Sequence, residues 1–457
     1  MCSTKYKCTK KKAVDAVQMY LYLLLERNYH ICTIIAVLYK EEKMKKFMVF
    51  AIICAFCVPT LFAQGVRESP KQELIINSYM SDEAPKNAFA AVVAEFEKQN
   101  PDIAVTVNTT AHEQFKTLLP SWLTSRQAPD IVTWFAGYRM QNFAKRGLLE
   151  PINDVFPGGS FEVEFPQSFK GASSYDGDVY FMPQSWYWWA VYYNKAVFNR
   201  LGLSIPETWD EFLAVCEVLK RNGVSPIAMG AKETWTVGGW FDYMNSAVNG
   251  GDFHQQLTMG EIPYTDPRVR KTFEYLIDLS QRGYFQPNAT SYAWQEAATL
   301  LFKGEAGMYL MGQFVFDVAP ADLKGDIDFF RFPTVNSKAY AVDTPTDGFM
   351  IPKNAKNKDA AKKFMAFLAT AEAQRMFCEP LGRLAANTLV PPLNAEAAKG
   401  LEMVKGASFA MQFYDRDAPE EMAAKGMNAI IDALQNPARL DEILASLEAD
   451  RVRIYAE

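Results

Sequence analysis

Apolar and polar positions along this chain follow two periods, and the switches between them mark its elements. Residues 73–78 are a short, mostly apolar run that predicts a buried strand. Over 87–99, Phe89, Val92, Val93 and Phe96 recur at helical spacing, and Asn100-Pro101 ends the helix. Residues 103–107 alternate as a second strand. Strand, helix and strand with a short return predict a right-handed parallel crossover. The loop Tyr79–Asp82 then lies at the carboxyl edge of the sheet, where ligands bind in open α/β sheets. Helices over 113–125 and 138–145 flank a strand over 131–134, and Tyr175-Asp176-Gly177-Asp178 predicts a tight hairpin.

The stretch 180–194 holds three of the nine tryptophans within four residues. From Ser185 its aromatic and β-branched residues predict one strand. Alternation puts Trp186, Trp188, Ala190 and Tyr192 on one face, and Tyr187, Trp189, Val191 and Tyr193 on the other. Either both faces are core, or one presents rings to a cleft; Trp186 and Trp188 are the expected stacking platform. Next, Pro206, Thr208 and Glu211 form a capping box before a helix with Phe212, Val215, Cys216 and Leu219 on its buried stripe. Helices are expected over 269–281, 293–303 and, as one long element, 358–378; strands are expected over 306–310, 327–332 and 346–352. The C-terminal stretch is rich in Ala, Glu and Met and reads as helices. No repeat and no Pro/Ser linker separates two halves, so two lobes would share the chain through several crossings.

Composition alters the picture at the N-terminus. Met44-Lys45-Lys46, an apolar run to Val58 and Leu61-Phe62-Ala63 have the form of a signal peptide over 44–63, too short for a comfortable membrane span. Residues 1–43 then read as a mis-annotated upstream extension, with Met44 the expected start; a genuine signal anchor is the alternative. Cys54 and Cys57 raise lipid modification, although the residues before them make a poor lipobox. Beyond Ala63 there remain 37 Lys+Arg against 49 Asp+Glu, a balance that argues against nucleic acid as a partner. Of seven cysteines only Cys216 and Cys378 lie beyond residue 58; Cys216 reads as core, and a disulfide between the two stays open. The chain is expected outside the cytoplasm, periplasmic or at the cell surface, and monomeric.

Motifs for catalysis or nucleotide binding are absent: no Gly-x-Ser-x-Gly, no phosphate-cradling Gly-rich loop, no His-Glu-x-x-His. Asp176 and Asp178 begin a calcium-like pattern that lacks its closing Glu, so no metal and no cofactor are expected. The chain does carry aromatic and polar residues at predicted strand ends. Rings can stack on the C–H faces of a sugar while carboxylates, amides and Arg take its hydroxyls. The candidates are Tyr79, Asp82, Glu113, Trp134, Trp186, Trp188, Trp240, Gln313, Asp347 and Arg383. A secreted carbohydrate-active enzyme, which needs two carboxylates about 5–10 Å apart, is an alternative. So is a binding protein for a polyol phosphate or other anion held by Arg383.

Several segments in a fixed order resemble the extracellular solute-binding proteins of carbohydrate ABC importers. They are Phe96-Glu97-Lys98-Gln99-Asn100-Pro101-Asp102, Ala128-Pro129-Asp130-Ile131-Val132, Gly147-Leu148-Leu149-Glu150-Pro151, Tyr193-Asn194-Lys195 through Pro206-Glu207-Thr208-Trp209-Asp210-Glu211-Phe212, and Lys303-Gly304-Glu305-Ala306-Gly307-Met308. The resemblance runs from about Leu74 to the C-terminus. It implies a type II-like periplasmic-binding-protein fold: two α/β lobes joined by hinge crossings, with the ligand cleft between them. The implied lobes are 71–182 plus 327–380 and 183–326 plus 381–457. The implied function is non-enzymatic capture of a carbohydrate by lobe closure and delivery to membrane permease subunits. It also points to the loop around Trp134, to Trp186, to the Asp347-Gly348-Phe349 turn and to Arg383 as ligand contacts. Trp186 and Trp188, at places where the monosaccharide-binding branch can be polar, favour an oligosaccharide.

Overall fold

β1 (Gln72–Ser78), α1 (Glu83–Gln99) and β2 (Ile103–Thr109) form the crossover that the apolar periods predict. The two strands are parallel, paired from Gln72 with Ile103 to Ser78 with Thr109. α1 buries Phe89, Val92, Val93 and Phe96. The computed structural model describes residues 71–156, 160–335 and 339–456, within one compact unit, Pro70–Glu457. The expected extension over 1–43, the leader over 44–63 and Cys54 and Cys57 lie outside the described residues.

Two sheets organise the unit. β3 (Ile131–Phe135) lies parallel to β1 on the side away from β2. β4 (Met182–Trp186) belongs to the same sheet; β5 (Trp189–Asn194), β6 (Ser225–Ala228), β7 (Ala306–Gly312) and β8 (Ile327–Phe330) form the second, in the order β8-β5-β7-β6. β9 (Ala341–Asp343) leads to β10 (Thr346–Met350), which returns to the first sheet, and β11 (Leu384–Ala385) closes its edge. The first sheet thus runs β11-β4-β10-β3-β1-β2. β12 (Phe409–Met411) pairs in parallel with β9. One apolar core gathers around each sheet. This is the two-lobed α/β fold expected, with the chain crossing between cores more than once.

Four local expectations are altered. The aromatic stretch is not one strand: β4 and β5 lie in different sheets, and the chain passes between them at Tyr187-Trp188. Residues 327–330 do not start the return to the first lobe, because β8 pairs antiparallel with β5 and Val342 is in the second core. β11, expected with the second lobe, pairs with β4. The helix expected over 358–378 is two, Lys358–Leu368 and Ala371–Leu381, and the Thr370 hydroxyl accepts from the Ala373 N–H at 3.2 Å to start the second.

Punctuation elsewhere matches the sequence. α2 (His112–Thr124) follows β2, and α3 (Trp209–Arg221) begins at the Thr208–Glu211 capping box. Asp176 and Gly177 take φ of 49° and 88°, the left-handed conformation that the hairpin turn needs. Cys216 and Cys378 are buried free thiols in separate cores. No helix among the described residues is long and apolar enough to cross a membrane.

Candidate functional site

The carboxyl ends of β1 and β3, the N-terminus of α2 and the segment leading into α4 (Trp235–Asn249) enclose a cavity of about 300 Å³. Its wall comes from both cores. From the first come Tyr79, Asp82, His112, Glu113, Phe135 and Asp347; from the second come Trp189, Glu233, Trp235, Trp294, Phe314 and Phe413. Tyr187 and Arg416 reach it from the crossing at 187–188 and the helical turn Tyr414–Asp417. The rings meet mostly edge to face. Trp189 packs on Phe413 at 4.6 Å and 77°, and Trp294 on Phe314 at 5.1 Å and 84°. Gly239 and Gly312 fix the Trp189 indole between them: a Cβ would come within 2.6 Å of its ring at Gly239 and 2.7 Å of Nε1 at Gly312.

The polar wall is acidic, with six carboxylates (Asp82, Glu113, Glu233, Asp317, Asp347, Asp415) against Lys116, Arg383 and Arg416. Each cation is already paired. Arg383 donates to Asp317 at 2.6 Å, and Arg416 to Asp347 and to the Tyr187 hydroxyl, both at 3.2 Å. Lys116 faces Glu113 at 3.1 Å and Asp415 at 3.7 Å. Burial opposes the charge of both arginines, but Asp317 and Asp347 at Arg383, and Tyr187 and Asp347 at Arg416, hold their pKa above the ordinary value. Burial raises Asp317, partly offset by Arg383. His112 stacks on Tyr79 at 4.8 Å; burial and the nearby Lys116 and Arg416 charges keep it neutral by pushing its pKa well down. Polar links tie the cores together around the cavity, among them Arg416 to Asp347, Arg383 to Asp317, Lys116 to Asp415, Gln295 to Asp82 at 3.4 Å, and the Tyr138 N–H to Asp417 at 3.4 Å.

Of the residues singled out in the sequence, Tyr79, Asp82, Glu113, Asp347 and Arg383 line this cavity. The other six do not. Trp134 is buried in the first core, stacked on Phe135 at 4.0 Å, and its carbonyl accepts from the Tyr79 hydroxyl. Trp186 gives its indole N–H to the Ala385 carbonyl at 3.1 Å and packs edge-on against Phe169. Trp188 is a core residue, packed on Phe329 at 5.4 Å and against the backbone of Gly400. Trp240 is buried among Phe212, Phe285 and Phe332. Gln313 donates inward to the Leu381 carbonyl at 2.7 Å, leaving Phe314 to the cavity. Gly348 sits at a register shift in β10, where a Cβ would strike the Met182 carbonyl and the Phe181 ring.

Alternation divided the aromatic stretch into two faces but gave no means of choosing between them. Tyr187 and Trp189, from the face opposite the expected stacking platform, are the ones at the cavity. Trp235 carried a signal in the aromatic density after Lys232. Asp415 and Arg416 had only the charged Tyr-Asp-Arg-Asp sequence, within a stretch that reads simply as helical.

Residues 81–375 match the bacterial extracellular solute-binding protein family. The chain is 30% identical over 340 residues to an uncharacterized ABC transporter extracellular-binding protein of Pyrococcus horikoshii, covering 72% of this chain and 76% of the relative. It is 23% identical over 319 residues to the multiple sugar-binding protein of Streptococcus mutans, covering 67% and 74%. Among solved structures, the bacterial solute receptor AcbH, described as having an exclusive preference for β-D-galactopyranose, superposes with a TM-score of 0.80 at 34% identity. That match covers 84% of this chain and 100% of the receptor.

Proposed function

We propose, from the premise that the chain belongs to the bacterial extracellular solute-binding proteins, that it captures a neutral sugar for an ABC importer. The sugar binds in the cavity between the two cores, and the closed form is what the permease subunits receive. The observation that carries this reading is the wall itself: rings from the second core, an excess of carboxylate acceptors and, among the described residues, no unpaired cation. Hydroxyls can donate to those carboxylates, and pyranose C–H faces suit the rings. An anion would meet surplus negative charge, which disfavours the polyol-phosphate alternative. The links across the cavity support a closing mechanism, in which a ligand touching both lobes shifts the population toward the closed state.

A single ring fits better than an oligosaccharide. The case for a longer chain rested on Trp186 and Trp188, and neither lines the cavity. Its volume is at the small end for ligand pockets. The β-D-galactopyranose preference described for AcbH supports the same size class. By this reading the first lobe is 71–186 plus 346–386 and the second 189–343 plus 397–456, and export places the chain in the periplasm or at the cell surface. A thermal-shift panel tests it. A neutral aldohexose at about 100 times its Kd should raise the unfolding midpoint by roughly 3 °C. A shift only with hexose phosphates, or only with oligosaccharides, contradicts the neutral or the single-ring part respectively.

A further inference from the structure

We propose that Glu233, on the segment entering α4, sets the specificity of the cavity, with Trp235 beside it as the stacking platform. The Glu233 carboxylate accepts from two neighbouring ring hydroxyls, and Trp235 stacks on the adjoining C–H face. This rests on the sugar-binding reading above.

Five of the six lining carboxylates have partners within the protein: Asp82 with Gln295, Glu113 and Asp415 with Lys116, Asp317 with Arg383, and Asp347 with Arg416. The Glu233 carboxylate has no ion pair or hydrogen bond among the described residues, and its Oε2 is fully withdrawn from solvent. An ionised carboxylate can only accept, through about four lone-pair positions. Lys116, Arg383 and Arg416 each pair with another lining carboxylate and none donates to Glu233, so a ligand hydroxyl can supply that donor. Oε1 is the oxygen open to the cavity; its two lone-pair positions can accept from hydroxyls on adjacent ring carbons, and hydrogen bonds to a charged acceptor are the stronger kind.

Two residues on, Trp235 is half-buried, whereas Trp189 and Trp294 are nearly closed off. Its ring neighbours Trp189, Trp294 and Phe314 stand 6.0, 6.4 and 6.1 Å away at 78°, 59° and 63°. None of these three lies parallel to it, which leaves a flat face for a sugar. Thr234, between the two, turns its hydroxyl to the Met427 sulfur at 3.8 Å. The acceptor and the platform therefore come from one short segment, with positions fixed relative to each other.

The test uses the full exported chain, calorimetry and D-galactose, D-glucose and their monodeoxy analogues. The parent chain must bind at least one hexose; failure there overturns the sugar reading itself. Given binding, Glu233→Gln is expected to weaken the hexose by about ten- to a hundred-fold with an unchanged or higher unfolding midpoint. The parent should reject one or two neighbouring monodeoxy analogues by a similar factor, and the variant should no longer distinguish them from the hexose, a non-additivity that general damage would not produce. Trp235→Ala should weaken every hexose alike. Hexose binding by Glu233→Gln within about threefold of the parent, unchanged discrimination among the deoxy sugars, or tighter binding of D-galactosamine than of D-galactose by the parent would overturn the proposal. If Glu233→Gln does not fold, the deoxy series on the parent chain still decides: equal tolerance of every deoxy analogue overturns it.

Discussion

Trp188 and Trp235 are the same side chain in opposite situations, and the difference is energetic. Trp188 is fully enclosed by Phe329 and the Gly400 backbone. Trp188→Ala should cost about 3–5 kcal/mol in denaturant unfolding while leaving hexose affinity within about threefold. Loss of affinity at unchanged stability would instead return Trp188 to the site. The buried acids behind the cavity give a second expectation. Asp343 is enclosed with neither carboxylate oxygen partnered; burial raises its pKa well above the usual range, against the pull of Arg416. Asp242 is raised by burial and by Asp343, so beside it His254 stays neutral, its pKa lowered to about 4 by burial. An acid whose folded pKa is raised contributes stability at low pH and loses it as pH climbs from the unfolded pKa of about 3.9 toward the folded one. Asp343→Asn lacks that loss. Its melting point relative to the parent should therefore rise between pH 5 and 8, and a constant difference would show that Asp343 ionises freely. His254 has the opposite sign, losing stability as pH falls from about 6.5 to 4.

At the scale of elements, the register shift between Asp347 and Gly348 is what aims Asp347 at Arg416. A side chain at Gly348 has no room against Met182 and Phe181. Gly348→Ala should destabilise by about 1–3 kcal/mol and weaken ligand binding as well, because Asp347 moves with the bulge. Loss of stability with unchanged affinity would separate Asp347 from the ligand. Much of this level was legible in the sequence. Helical spacing in α1, the capping box of α3 and the hairpin at Asp176-Gly177 are local, and local chemistry decides them. The split of the aromatic stretch was not, because an apolar run carries no mark of the sheet it joins. Nor was the break at Ala369-Thr370, where apolar spacing continues across the boundary. The cavity residues were half legible: loop positions after β1 and β2 follow from topology, whereas Trp189, Glu233 and Arg416 depend on how distant segments pack.

At the scale of the molecule, two separate cores share one chain through repeated crossings, and the polar links between them surround a cavity rather than fill it. Such links are weak one at a time where they are solvated, and stronger where both partners are buried, as at Arg416 and Asp347. On the proposed reading the lobes part without unfolding, and a ligand contacting both sides tips the balance toward closure. The central claim is that this cavity binds one neutral sugar ring. Calorimetric titration of the exported chain with the aldohexose that gives the largest thermal shift tests it most directly. The account predicts saturable binding of one sugar per chain, undiminished by excess hexose phosphate; no saturable heat with any aldohexose, or displacement by the phosphate, would contradict it.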